Sequence, residues 1–246
     1  MKNNGVKLLA AAIVFAMAFA GAFVVINSDD SYAANAEDTG TGEETTKTYF
    51  KIGNTSYEGI TDALKAVKDG QTIVMTGDYS GPGIGLFDKD KEITARSFTI
   101  DLGGFIYDAG SPAVGSTGTQ TQAVHIESEY TVTIKNGTLT STEPAKSDVK
   151  MIIQNYANLT LDNVIVDGSK GVSYTISNNC GEIHFKGTTN IIATEGEVAF
   201  DLYYWPSNSY TDGVQLYFDA GYNGTITGKV ELTSDVNSAL YNCIFD

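Results

Sequence analysis

Phe98-Thr99-Ile100-Asp101-Leu102-Gly103 returns as Val132-Thr133-Ile134-Lys135-Asn136-Gly137, and again as Leu159-Thr160-Leu161-Asp162-Asn163-Val164. Ile183-His184-Phe185-Lys186-Gly187 is a looser fourth copy. The central apolar positions 100, 134, 161 and 185 are spaced by 34, 27 and 24 residues. Upstream of each later copy lies another short apolar strand: Val124-His125-Ile126, Met151-Ile152-Ile153 and Tyr174-Thr175-Ile176. A unit this short cannot bury its apolar side alone, so neighbouring units must stack into one continuous core. The repeat predicts an all-β chain wound as a parallel solenoid of about five coils.

Period two assigns the faces. Phe98, Ile100, Val132, Ile134, Leu159, Leu161, Ile183 and Phe185 are predicted inward. Thr99, Thr133, Thr160 and His184 form one outward column, and Asp101, Lys135, Asp162 and Lys186 form the next. The signs alternate along that second column. Strands about 4.8 Å apart would set each carboxylate beside an ammonium and penalise a slipped register. Asn136 and Asn163 fall just after the strand, where Asn tolerates a left-handed bend. They are expected to form a short structural Asn ladder.

Outward from the repeat, Thr61–Lys68 is the one amphipathic helix of the mature region, with Ala63, Leu64 and Val67 on one face and Asp69-Gly70 as its stop. Tyr49–Ile52 and Thr72–Met75 read as strands, with Gly53-Asn54 as a turn. Before them, Lys2 and Lys7 precede an apolar run from Leu8 to Ile26, and Ser31-Tyr32-Ala33 offers small residues for cleavage. Residues 1–33 therefore read as a secretory signal peptide. The alternative is an uncleaved anchor, which would be the chain's only link to a membrane. Residues 34–48, rich in Thr, Gly and Glu, read as a flexible linker. The remainder, 49–246, is one domain exported from the cytoplasm, secreted or at the cell surface.

The opening KIGNTSYEGITDALKAVKDGQTIVM (51–75) and the coils FTIDLGG (98–104), VTIKNGTLT (132–140) and LTLDNVIV (159–166) carry a resemblance. They are similar to the pectin-lyase-like right-handed parallel β-helix, in the form found in adhesin-like surface proteins of microbes. The resemblance implies a short N-terminal capping helix and a right-handed winding. It leaves function open, because the family holds polysaccharide lyases and hydrolases beside non-catalytic surface proteins.

The composition narrows the choice. The net charge of −15 excludes a nucleic-acid partner. Lyases of this family abstract a proton with Arg or Lys and use calcium held by clustered Asp. Here the one arginine, Arg96, sits at the edge of the first coil, and Lys135 and Lys186 lie in the charge ladder. Hydrolases need close carboxylate pairs, and the coils carry no such motif. No catalytic residue, cofactor or metal site is expected. Asp88-Lys89-Asp90-Lys91-Glu92 reads as a solvated loop, and His125 and His184 as outward side chains on different columns.

Phe200–Tyr222 holds eight aromatics in 23 residues. Tyr203, Tyr204, Trp205 and Tyr210 are the candidates for contact with an extracellular glycan or protein, since aromatic faces stack on sugar rings and anchor interfaces. The competing reading is packing over or inside the sheet. Asn54, Asn136, Asn158 and Asn223 begin N-x-S/T sequons. Asn136 is blocked if it sits in the ladder, which leaves Asn54, Asn158 and Asn223 as glycosylation candidates. Cys180 and Cys243 are placed about two coils apart, roughly 9–10 Å, which favours separate thiols over a disulfide. Ala239–Asn242 resembles the upstream strand of a further coil with no strand after it, so an open C-terminal end is expected, to be covered by a partner, covered by the aromatic segment, or continued in a longer protein of which this chain is a truncated piece. The most favoured role is a non-catalytic, adhesin-like surface or secreted protein. Polysaccharide cleavage and a structural envelope module are the alternatives.

Overall fold

A computed structural model describes residues 47–204, 213–234 and 241–245 of the 246-residue chain. The proposed signal peptide and most of the linker, 1–46, lie outside the described residues, as do Trp205 and Tyr210. The described chain is all-β with two short helices, wound as a parallel β-solenoid of about six turns.

The entry is a hairpin, β1 (Phe50–Ile52) and β2 (Thr55–Tyr57), followed by α1 (Ile60–Ala66). Gly53 makes the hairpin turn at φ 58°. The helix starts one residue earlier than expected and ends before Lys68, because Val67 turns to extended backbone. Ile60, Ala63, Leu64 and Val67 are all buried, so the predicted face is the packed one.

The first coil is β3 (Thr72–Met75), β4 (Tyr79–Gly81) and β5 (Ile84–Leu86). The second is β6 (Ser97–Asp101), β7 (Ile106–Ala109) and β8 (Gln122–Ile126). The third is β9 (Thr131–Thr140), helix α2 (Pro144–Ser147) and β10 (Met151–Asn155); the fourth is β11 (Asn158–Asp167) and β12 (Tyr174–Asn179). The fifth is β13 (Glu182–Lys186), β14 (Asn190–Ile192) and β15 (Val198–Tyr204); the sixth is β16 (Val214–Phe218), β17 (Ile226–Thr227) and β18 (Lys229–Ser234). Strand β19 (Tyr241–Phe245) then returns to pair with β16. One sheet runs β19-β16-β13-β11-β9-β6-β3 with the hairpin at its foot, and the other runs β18-β15-β12-β10-β8-β5. Tyr241 and Asn242 thus belong to the first sheet; the upstream strand of that last coil is β18.

The register is the predicted one. Ile73, Ile100, Ile134, Leu161 and Phe185 lie on one another, as do Phe98, Val132, Leu159 and Ile183. All nine are buried. Thr99, Thr133, Thr160 and His184 stack outward, and so do Asp101, Lys135, Asp162 and Lys186. Lys135 reaches Asp101 at 3.4 Å, whereas Lys186 reaches forward to Asp219 at 3.1 Å. Asp162 accepts from Asn163 Nδ2 at 2.8 Å instead. The charge ladder holds in register, and its ion pairs select particular neighbours.

Two of the corners that repeat along the coils carry side-chain ladders. At the first, Gly103, Asn136, Asn163 and Gly187 have φ of 62°, 57°, 55° and 54°. The predicted asparagines do take the left-handed bend, and each bonds to an adjacent coil. Asn136 Nδ2 donates to Asp101 Oδ1 at 3.1 Å, and Asn163 Oδ1 accepts from Thr188 N at 3.1 Å. The opposite corner carries a buried ladder that the repeat did not flag. Asn155 and Asn178 are register partners, both with no exposed surface. Asn155 Nδ2 donates to Asn178 Oδ1 at 2.7 Å and to Ala157 O at 3.0 Å. Asn178 Nδ2 donates to Gly181 O at 2.8 Å. A side chain on Gly181 would stand 2.6 Å from Asn155 Nδ2, so the chain must be bare there.

Removing the Asn178 side chain would take its three hydrogen bonds from a fully buried corner and open a cavity there, although Asn155 Nδ2 would keep the carbonyls of Ala157 and Glu182 and the Gly181 carbonyl would keep the Gln215 N–H. Asn178→Ala is expected to cost about 2–3 kcal/mol in urea unfolding. Asn163→Ala, at an exposed corner, should cost clearly less; equal losses would show that burial of the ladder is not what matters.

Candidate functional site

The aromatic segment divides between core and surface. Phe200 is fully buried and meets Phe185 edge-on at 5.4 Å between ring centres. Phe218 and Tyr222 pack on the same Phe185 ring. Tyr204, a contact candidate, is 8% exposed and joins the core, so it is not available to a ligand. Tyr203 is half-buried, and its carbonyl accepts the Cys180 N–H at 2.9 Å and the thiol at 3.8 Å. Cys243 lies in β19 in register with Leu216, which lies on Ile183, so two layers separate its backbone from the coil that Cys180 enters.

Tyr217 faces outward and stacks on His184, ring centres 4.3 Å apart and the ring planes nearly parallel at 3°. His184 Nδ1 lies 2.8 Å from Asp219 and Nε2 2.9 Å from Glu182. Burial works against ionising Asp219, but hydrogen bonds from His184 and Lys186 outweigh it and hold the carboxyl below its ordinary value. In this outer patch His184 bridges the carboxyl groups of Glu182 and Asp219, and Lys186 pairs with Asp219.

His125 is not an exposed side chain. It is 1% exposed, stacked on Phe87 at 5.2 Å, with Nδ1 3.0 Å from Gln154 Oε1. Its Nε2 has no hydrogen-bond partner and faces Glu127 Oε1 at 3.8 Å. The register explains the burial: the column on this sheet reads Gly85, His125, Gln154, Ser177, Asp201 and Glu231. Glycine beside the ring leaves room for Phe87 to cover it. Ser177 Oγ donates to Asp201 Oδ2 at 3.1 Å, and Asp201 and Glu231 are neighbours on adjacent strands. That carboxylate pair was invisible to a search for motifs, because 30 residues separate its members and only the register joins them.

Arg96 is a structural cation. Its NH1 donates to Ile93 O at 2.7 Å, Ala95 O at 3.3 Å and Tyr130 Oη at 2.7 Å. Its NH2 donates to the carbonyls of Asp88 and Asp90, each at 3.4 Å. The guanidinium also lies over the Tyr130 ring, 4.6 Å from its centre. Burial pushes the Tyr130 phenol up to about 12, so it stays protonated and passes its own hydrogen bond to Phe87 O at 3.1 Å. The loop 87–95, which contains the 88–92 segment read as solvated, is folded around this one side chain. Asp88 accepts from Ser128 Oγ and the Glu129 N–H, each at 2.9 Å. Among the described residues no cluster of three His, Cys, Asp or Glu is placed to hold a metal ion.

Of the sequon asparagines, Asn54 and Asn223 are exposed. Asn158 is half-buried in β11, and its Nδ2 donates to Glu182 Oε1 at 2.8 Å.

Two measurements test these assignments. Arg96→Ala should destabilise by about 2 kcal/mol, and Arg96→Lys should recover little, because an ammonium cannot span the same carbonyls. Full recovery by Lys would mean that charge alone holds the loop. Burial lowers the His125 basicity below its ordinary 6.5, against smaller opposing effects of Gln154 and Glu127. The unfolded chain then binds the proton more readily, so stability is present above pH 6.5 and falls as the pH drops below it. His125→Gln should flatten that stretch of the pH–stability curve.

No protein-family model matches the chain, and no curated protein or solved structure matches it.

Proposed function

We propose that this is an exported, non-catalytic β-solenoid of adhesin-like type that contacts extracellular glycans or proteins. The reading joins the N-terminal leader, the similarity of the coils to the pectin-lyase-like β-helix, and the way the cations are used. The last point carries it. A lyase would need an arginine or lysine free to take a proton. Arg96 is spent on the carbonyls of its own loop, and Lys135 and Lys186 are held by Asp101 and Asp219. The rigid outer faces then serve as a scaffold for contact.

A second reading, a structural envelope module, is favoured by the burial of Tyr204 in the core. The two separate on a glycan array probed with the purified protein, with and without calcium, beside a Trp205→Ala variant. Binding that depends on Trp205 is expected for the adhesin-like role, with a loss of at least tenfold in the variant. An array with no binding would favour the structural module or a protein ligand. Calcium-dependent depolymerisation of a uronate polymer would overturn the non-catalytic reading.

A further inference from the structure

A cleft of about 220 Å³ opens beside β4, the end of β7 and helix α2. Ser80, Asp108, Ser111, Thr142, Glu143 and Lys146 line it. None of them belongs to the aromatic segment or to the repeat columns from which the fold was read. The cleft exists because the chain between β9 and β10 leaves the coil, forms α2 and returns. That excursion places Thr142, Glu143 and Lys146 across from the Ser80 and Asp108 positions, which are paired in register.

The wall is held rigidly. Thr142 donates its N–H to Asp108 Oδ1 at 2.8 Å and its hydroxyl to Asp108 Oδ2 at 2.6 Å. Both carboxylate oxygens are therefore fixed in direction while each keeps lone-pair capacity toward the opening. Gly110 N–H to Gly81 O, 2.7 Å, pins the next stretch of the same wall. At the mouth Glu143 and Lys146 pair with one another.

We infer that this cleft is a subsite for one neutral sugar residue, an inference that rests on the glycan-binding reading above. The size suits a single hydrophilic ring: a water's share of liquid is about 30 Å³, so the space holds roughly seven waters, far below a drug-sized pocket. The lining combines acceptors, donors and hydroxyls, which is what a ring of adjacent hydroxyl groups requires, since each both donates and accepts. The charge balance sets the class. Glu143 is compensated by Lys146, and Asp108 has no cationic partner among the described residues. The site therefore repels uronates and other anionic sugars, and the fixed carboxylate accepts from two neighbouring hydroxyls of an uncharged one.

The test uses the purified protein labelled with ¹⁵N. It is titrated with methyl glucoside, methyl galactoside, methyl mannoside and N-acetylglucosamine, with glucuronate and glucosamine as charged controls. At least one neutral sugar should shift the amides of Gly110, Ser111 and Thr142 with a Kd on the order of 1 mM. Ser80→Trp, which fills the cleft from an exposed strand position, should weaken that binding at least tenfold, and Lys146→Ala should weaken it less. Glycans that bind the protein on an array, leave these amides unmoved and survive Ser80→Trp would overturn the cleft while sparing the glycan reading. Shifts with glucosamine alone would make it a cation site and overturn the sugar assignment. Silence of every probe, here and on the array, would overturn both readings.

Discussion

Everything in this fold depends on the chain returning to the same place after each circuit. A parallel strand finds its partner only if the corners of the coil turn identically, layer after layer, whatever the length of chain between them. The first corner meets this with a column of left-handed residues, Gly103, Asn136, Asn163 and Gly187. The second meets it with buried amides, Asn155 on Asn178, that bind the backbone carbonyls of the turn. Once the corners are set, the inward columns of Ile, Leu, Val and Phe come into contact without further instruction. Loops between them, such as the excursion that carries α2, vary in length at little energetic cost.

What could be read from the sequence follows from the same constraint. The FTID, VTIK, LTLD and IHFK strands each carry a period-two pattern and a shared exit, so their stacking and facing were legible. The short strands β4, β7, β14 and β17 were not, because two to four residues hold too little pattern to stand out. The Asn155–Asn178 ladder was missed for a different reason. Its members sit among neighbours that read QNY and SNN, and polar residues at a strand end look like an exposed turn until the register buries them. His125 was misplaced in the same way: alternation puts it outward, but outward on this sheet lies under Phe87.

The candidate sites were less legible than the fold, since they come from pairs distant in sequence. Asp101 with Lys135 was visible because both belong to the repeat. Asp108 with Thr142, Arg96 with the carbonyls of its loop, and Asp201 with Glu231 lie outside it. Of the aromatic platform, Tyr204 turned inward, where it joins the buried core. Apolar surface is worth more inside a growing core than on a face already wet, so a run of aromatics beside an unfilled layer tends to be absorbed by it.

The loop held by Arg96 has one consequence for the conditions under which the protein can work. Many extracellular loops rich in carboxylates are shaped by a calcium ion gathering carbonyl and carboxylate oxygens, and they loosen when the ion is chelated. Here a guanidinium gathers the carbonyls, and it is bonded to the chain it organises. It cannot be diluted away, exchanged for magnesium or stripped by a chelator. This part of the surface therefore holds its shape equally in ion-poor and ion-rich surroundings.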